Sequence, residues 1–525
     1  MRRRMYMFDY ARLRTLHREE FICLLDLLAR LGYEELGLYL EGAFLSMGKA
    51  GVIRENVLNS EEVEWILKEA IEHGMTVMPM TNVLYHMEHF LCQERYAHLR
   101  RTGPHERYLI NFEDPEAIPF ALEIIRSLAD MFHTNTVHIG LDEFPFTTEE
   151  IPAIGEYIAA VTGQMMAEGL MPAVWGDMFW MEQSLTSYLP KETEIHDWNY
   201  YGHRPESLRY FRKEGFRQVI AVPSDNGWEG FTGCQRTTGH LRARTDIPVD
   251  PGEIEAFLQD AESENADGCM IANWENTVGR SVWAALVPAA RAGLWMQGKW
   301  EQTSSEETQV ELALFGRITP YTRIVQCLRK LQMHVAAKCH IRLPQDALYR
   351  MDSMLSLLHK PADFWTDTIA LYTEMLPEME QELAEWTPQS PVERYARAAM
   401  ECVVTNVRAA LTLMQFSQSR TVYRQAAIVQ FSDSGSYCEH LAKVEEILNS
   451  AIQGMRASRR SREDSIADTG ITRQDLLWQD RLITYLLSLQ EKLQKFQRNS
   501  LSIVSLPCFT EFLYSWEFGK GGLVP

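Results

Sequence analysis

Through the first 300 or so residues, short apolar runs alternate with amphipathic stretches of helical period. MYMFD (5–9), ELGLYL (35–40), MTVMPM (75–80), TVHIG (136–140), MPAVW (171–175), EIHDW (194–198), QVIAV (218–222) and GCMIAN (268–273) read as eight strands. Between them lie helical segments such as EEFICLLDLLARLG (19–32), SEEVEWILKEAIEHG (60–74) and PEAIPFALEIIRSLADMF (115–132). Ser60, followed by Glu62 and Val63, reads as a helix N-cap, and Gly32 and Gly74 read as helix stops. Eight strand–helix units predict an α/β fold, a (β/α)8 TIM barrel, a fold typically of about 250 residues. An open doubly wound sheet is the alternative, but neither GxGxxG nor GxxxxGK[ST] occurs to support it.

After SVWAALVPAARAGLWMQGKW (281–300), which reads as the last barrel helix, the texture changes. EHLAKVEEILNSAIQGM (439–455) and QDLLWQDRLITYLLSLQEKLQKF (474–496) have long helical periodicity, and little reads as strand. The expected organisation is a catalytic barrel over 1–303 and an all-helical C-terminal domain over 304–525. ASRRSREDSIADTG (457–470) reads as a charged, solvated connector. No internal repeat is evident.

Composition narrows the class. At 46% apolar and 23% charged residues, the chain has enough apolar material for a substantial core. Its formal charge of −21 argues against a nucleic acid or anionic membrane partner, which would need a basic face. Nine scattered cysteines without CxxC spacing suggest neither a zinc site nor a disulfide framework. MRRRMYMFDYARLR at the N-terminus lacks the apolar core of a secretory signal, and no run of 18 apolar residues occurs, so a soluble cytoplasmic protein is expected.

TVHIGLDEFPF (136–146) carries the chemistry. Neighbouring side chains of an extended strand point to opposite faces, yet Asp142 and Glu143 are adjacent acids at the end of the fourth strand. In a barrel, the strand C-termini carry the reactive groups. Two carboxylates there could be ion-pair partners, metal ligands or an acid/base pair. Metal ligation would draw on further groups at strand ends, among them Asp9, Glu41, His86, His138 and Asp177. Other strand ends supply tryptophans instead: Trp175, Trp198 and Trp274, with Trp228 after the seventh. Indole faces suit the C–H faces of a pyranose, and carboxyl groups suit protonation of a glycosidic oxygen.

Here the motifs become specific. VHIGLDE resembles the H-x-G-G-D-E signature of glycoside hydrolase family 20, the β-N-acetylhexosaminidases. FDYAR resembles that family's D-x-x-R, VWGDMF its fifth-strand Trp motif and HDW its sixth-strand Trp. MTVMPMTNVLYHMEHFL followed by INFEDPEA is most similar to the hexosaminidase D-like branch. The resemblance covers about residues 5 to 300. It implies that Glu143 is the general acid/base and that Asp142 orients the 2-acetamido group and stabilises positive charge on its nitrogen. The acetamido oxygen would attack the anomeric carbon, giving an oxazolinium intermediate and retention, the substrate-assisted exception to the two-carboxylate scheme. It also implies a Glu143 pKa above the ordinary value, a polar relay through Glu41 and His86, and Arg12 gripping sugar hydroxyls. Trp175, Trp198 and Trp274 would wall the pocket. His138 shares the face of Gly140, and Asp177 could bond a substrate hydroxyl or cap the next turn.

The chain departs from the pattern at several points. Leu141 replaces the second glycine, Tyr85 stands where a glycine precedes the motif His, and the seventh strand lacks the Tyr that donates to the acetamide. Trp228, Asn226 or Tyr200 could supply that donor. Asn276 occupies a position where the family commonly has Glu. The expected function is a retaining exo-β-N-acetylhexosaminidase acting on terminal β-linked GlcNAc or GalNAc of a small glycoside, without metal or organic cofactor. A homo-oligomer is possible. Rival readings are a glycosidase for a modified hexosamine, a non-catalytic carbohydrate-binding barrel and a metal-dependent barrel hydrolase.

Overall fold

The structure is a computed structural model. It describes residues 2–11, 18–42, 44, 58–103, 108–198, 205–223, 253–274, 282–301, 305–339, 364–428 and 434–464, with scattered positions between 480 and 494. Eight parallel strands close into a barrel in chain order: β1 (Arg3–Asp9), β2 (Glu35–Tyr39), β3 (Thr76–Met80), β4 (Thr136–His138), β5 (Met171–Trp175), β6 (Glu194–Trp198), β7 (Gln218–Val222) and β8 (Gly268–Asn273). β1 pairs with both β2 and β8, which completes the ring.

The strands are apolar on consecutive positions because both of their faces are covered, one by the barrel interior and one by helices. Met5 and Met7 of β1, Met78 and Met80 of β3 and Met270 of β8 fill the interior with Tyr39, Ile220, Val222 and Trp175. Barrel interiors more often use branched aliphatics; unbranched methionines adapt to the irregular space left by Trp175. Gly37 of β2 leaves room for them, since a Cβ there would lie 2.9 Å from Met80 Sδ. On the outer face, Tyr6 packs edge-on against Tyr33, whose hydroxyl donates to Ala289 O at 2.8 Å.

The N-terminal end of the barrel is plugged by charge. Arg3 donates to both oxygens of Glu35 at 2.7 Å, to Glu194 at 2.6 Å and to Gln218 at 2.8 Å. Each of these residues opens its strand, so one guanidinium ties β1, β2, β6 and β7 together. Burial would raise the Glu194 carboxyl, but His196 and Arg3 outweigh it and hold the group down at about 2.

Two local expectations are revised. The helix Ser60–Glu72 is capped by Asn59, not Ser60: the Asn59 side chain accepts from Glu62 N at 2.9 Å while Glu62 accepts from Asn59 N. This reciprocal pair satisfies two donors that a cap at Ser60 would leave open. Residues 457–464 are not connector but the end of the helix Ser434–Asp464, where Arg459 pairs with Glu463 one turn on. Gly32 and Gly74 do follow helices, with φ of 87° and 72°.

Two compact units are present. The first holds the barrel and continues to Gly316, because the helix Glu306–Phe315 is tied to the helix Leu286–Met296 by Arg291–Glu306 at 3.2 Å. Gly316, with φ of 70°, ends that helix. The second unit is helical, with Tyr321–Cys339, Thr366–Glu385, Pro391–Ile428 and Ser434–Asp464. It includes the short turn Val282–Ala284, whose Trp283 stacks on Tyr395 at 5.1 Å and accepts the Tyr321 hydroxyl at its carbonyl. Arg317 forms a forked pair with Glu393, which is almost fully buried. Among the described residues, no helix is long and apolar enough to cross a membrane.

Candidate active site

β4 stops pairing early. Ile139 N still donates to Ala173 O, and Gly140 O still accepts from Trp175 N, but the chain then leaves the ladder. Gly140 has φ of 76°, Leu141 of 70° and Glu143 of 52°. These left-handed residues break the strand's alternation, so consecutive side chains need no longer point to opposite faces. The result is visible at His86: its Nε2 lies 3.7 Å from Asp142 Oδ2 and 3.4 Å from Glu143 Oε2. The adjacent acids therefore share one side.

Gly140 is needed twice over, for its positive φ and for space. A Cβ there would sit 1.7 Å from Asn82 Oδ1. Asn82 in turn donates to the Tyr39 hydroxyl at 2.7 Å, and Tyr39 donates to Glu41 Oε1 at 3.0 Å. Leu141, which stands where the family pattern has glycine, adopts the left-handed conformation while buried. Such a residue stores on the order of 1–3 kcal/mol of backbone strain.

Electrostatics divides the acids. Asp142 is buried and Glu143 exposed. Burial pushes the Asp142 carboxyl up to about 6, with His86 opposing and Glu143 assisting. For His86, burial works downward but the charges of Asp142 and Glu143 prevail and push it up to about 9. Asp177, at the C-terminal end of β5, is held well above the carboxylate range by burial and by the charges of Asp142 and Glu143. Its Oδ2 accepts from Glu143 N at 3.1 Å, and the Trp198 indole N–H also donates to its carboxyl. Water exclusion thus acts on Asp142 and Asp177, whereas the Glu143 side chain, 53% exposed, would be covered only by a bound molecule.

Of the tryptophans, Trp175, Trp198 and Trp274 converge in one cluster with Tyr39. Trp175 and Trp274 lie 6.0 Å apart, and Tyr39 meets Trp274 edge-on at 4.9 Å. Trp175 is fully buried, so it backs the wall, while Trp198 and Trp274 retain some exposure. His138 lies under Trp175, with ring centroids 4.3 Å apart. Its Nδ1 accepts from Gly140 N at 3.2 Å, and burial beside His196 drives its pKa well down. It is a neutral ring that supports the turn.

Glu41 meets His89 rather than His86: its Oε2 lies 2.5 Å from His89 Nε2, with Glu88 nearby. The sequence reading missed His89 because HMEH (86–89) offers two histidines three positions apart. The short helix Glu88–Leu91 turns the second toward β2. Arg12, Tyr200, Trp228 and Asn276 lie outside the described residues. Among the described residues, two groups could hold a cation by donor type, Glu41–Glu88–His89 and His86–Asp142–Glu143. In the second, a cation would have to displace the proton that His86 holds up to about pH 9 between the two carboxyls.

No family profile and no curated protein matches this chain. Solved structures do. A β-N-acetylhexosaminidase matches at 14% identity and TM-score 0.44, covering 60% of this chain and 78% of that one. The Flavobacterium johnsoniae chitobiase matches at 13% and 0.46, covering 92% and 78%. A glycoside hydrolase family 138 enzyme described as targeting pectin rhamnogalacturonan II matches at 12% and 0.50, covering 95% and 83%. At 12% identity the match with TM-score 0.50 is a likeness of fold alone.

Proposed function

We propose that this protein is a retaining exo-β-N-acetylhexosaminidase of the substrate-assisted kind, resembling the hexosaminidase D-like branch of family 20. One observation carries the reading: consecutive acids at the end of β4 face a single point, with one histidine nitrogen within 3.7 Å of both. A pair so placed can serve two atoms of one sugar. Buried Asp142, ionised above about pH 6, would hold the acetamide N–H and stabilise the charge that grows on it during cyclisation. Exposed Glu143 would reach the leaving oxygen, give it a proton and then take one from water. His86, protonated up to about pH 9, stores a proton beside Glu143 and keeps two nearby carboxyls from repelling each other. The nucleophile is the substrate's own acetamido oxygen, which has the large effective concentration of an intramolecular group. Trp198 and Trp274 supply apolar faces for the ring and acetamido methyl.

A panel of chromogenic β-glycosides with and without the 2-acetamido group tests this directly. Turnover should require the acetamide, and Glu143→Gln should lower kcat by about 10²–10⁴-fold, the scale of losing a general acid. Equal hydrolysis of plain glucosides would sink the reading. The metal-dependent alternative makes the opposite forecast for chelation: EDTA dialysis should leave turnover unchanged here and abolish it there.

A further inference from the structure

Asp177 is not used by the chemistry just described, yet it touches both the catalytic turn and the pocket wall. Oδ2 accepts the backbone N–H of Glu143, and the carboxyl also accepts the indole N–H of Trp198. It therefore ties the left-handed residue that bears the exposed acid to one wall of the pocket. Its other oxygen, Oδ1, is buried and has no hydrogen-bond partner among the described residues, and the same is true of Asp142 Oδ1. Two buried acceptors left open are costly, and on acids tied through the Glu143 backbone one shared proton would satisfy both.

We propose that Asp177 is a positioning residue acting as a neutral carboxylic acid, holding Glu143 and Trp198 through one end and donating a hydrogen bond to Asp142 from the other. Deepening the hexosaminidase reading and resting on it, this gives Asp142 a fixed orientation toward the acetamide without adding charge. The environment agrees. Burial and the charges of Asp142 and Glu143 all disfavour a second anion at Asp177, and neutral acids kept as donors at pH 7 are known in apolar sites. The other titratable groups facing Asp142 are His86, Glu143, Glu41 and Tyr85. Among these described groups His86 brings positive charge, and it sits on Oδ2 rather than on the open oxygen.

An amide can copy a neutral acid: Asn accepts with its oxygen and donates with its nitrogen. Asp177→Ala should lower kcat about 10²-fold with little change in KM, the scale of a displaced catalytic group. Its acid limb should move to higher pH as Asp142 loses a donor. Asp177→Asn should recover kcat to within about fivefold of wild type, as a mimic that keeps all three hydrogen bonds, with the limb back near its original position. Asn as impaired as Ala would mean a charge is needed, and Ala retaining a third or more of kcat would mean no positioning role; either overturns the proposal. If Ala does not fold, Asn decides alone, and a loss beyond about 10²-fold refutes neutrality. The ¹³C carboxyl signal of Asp142, titrated by NMR in wild type and both variants, reads the same contact without turnover. A midpoint that Ala fails to raise overturns the contact even if the protein hydrolyses no hexosaminide. Wild-type inactivity on the glycoside panel would instead count against the hexosaminidase reading alone.

Discussion

Left-handed backbone at Glu41, His86, Leu141 and Glu143 gathers beyond the ends of three neighbouring strands. Strain of about 1–3 kcal/mol at each such position persists only where the surroundings fix it. Here Asp177 fixes Glu143 and Asn82 packs against Gly140. Rate should follow the charges these turns bring together. Asp142 must lose its proton to stabilise a cation, so activity should fall as pH drops through about 6; His86 must keep its proton, so activity should fall again above about 9. The two limbs belong to the coupled cluster rather than to isolated groups. His86→Gln should cost about 10²-fold in kcat, the lower end for a proton-transfer partner, and erase the alkaline limb. An unchanged limb near 9 in that variant would assign it elsewhere. The acid pair was legible from VHIGLDE and the indoles from their places after strands. The turn that lets neighbouring acids share a side was not, since Leu, Glu and His rarely adopt positive φ and only Gly140 hinted at it.

At the level of elements, strands were readable because each is a short apolar run, and four of eight begin and end as the runs do. Helix starts were readable only to within a residue or two, as Asn59 shows: Ser60 and Asn59 are both good caps, and the choice rests on which lets Glu62 reach back. What holds the barrel's far end was invisible, because Arg3, Glu35, Glu194 and Gln218 are remote in sequence and ordinary in type. Arg3→Met would leave Glu194 buried with His196 but without its guanidinium partner and should destabilise the barrel by about 3 kcal/mol, the usual cost of breaking a buried pair. Urea denaturation would measure it, and a midpoint equal to wild type would show that the plug carries no load. The sign with pH is fixed too. Glu194 is held at about 2 when folded against about 4.3 unfolded, so its contribution is complete above the unfolded value and disappears as pH falls toward 2. The mutant should lose part of that acid sensitivity.

On the scale of the molecule, two compact units coexist with a strong negative charge. The change of texture near residue 300 signalled the second unit. Its edge falls at Gly316 because one further helix clings to the barrel through an ion pair that periodicity does not encode. Net charge bears on substrate choice. A formal −21 lowers the local concentration of anions around the molecule, and within the site His86 is offset by Asp142 and Glu143, with Asp177 adding no charge if it is neutral. A neutral hexosaminide meets little of this field, whereas a sulfated one is repelled over a Debye length of about 10 Å at 0.1 M salt. Raising the salt from low to moderate strength should therefore leave kcat/KM for a neutral aryl hexosaminide flat and increase it for the 6-sulfated analogue. If the sulfated substrate is instead preferred at low salt and weakened by added salt, a local cationic patch must outweigh the global charge, and the modified-hexosamine specificity would be the better reading.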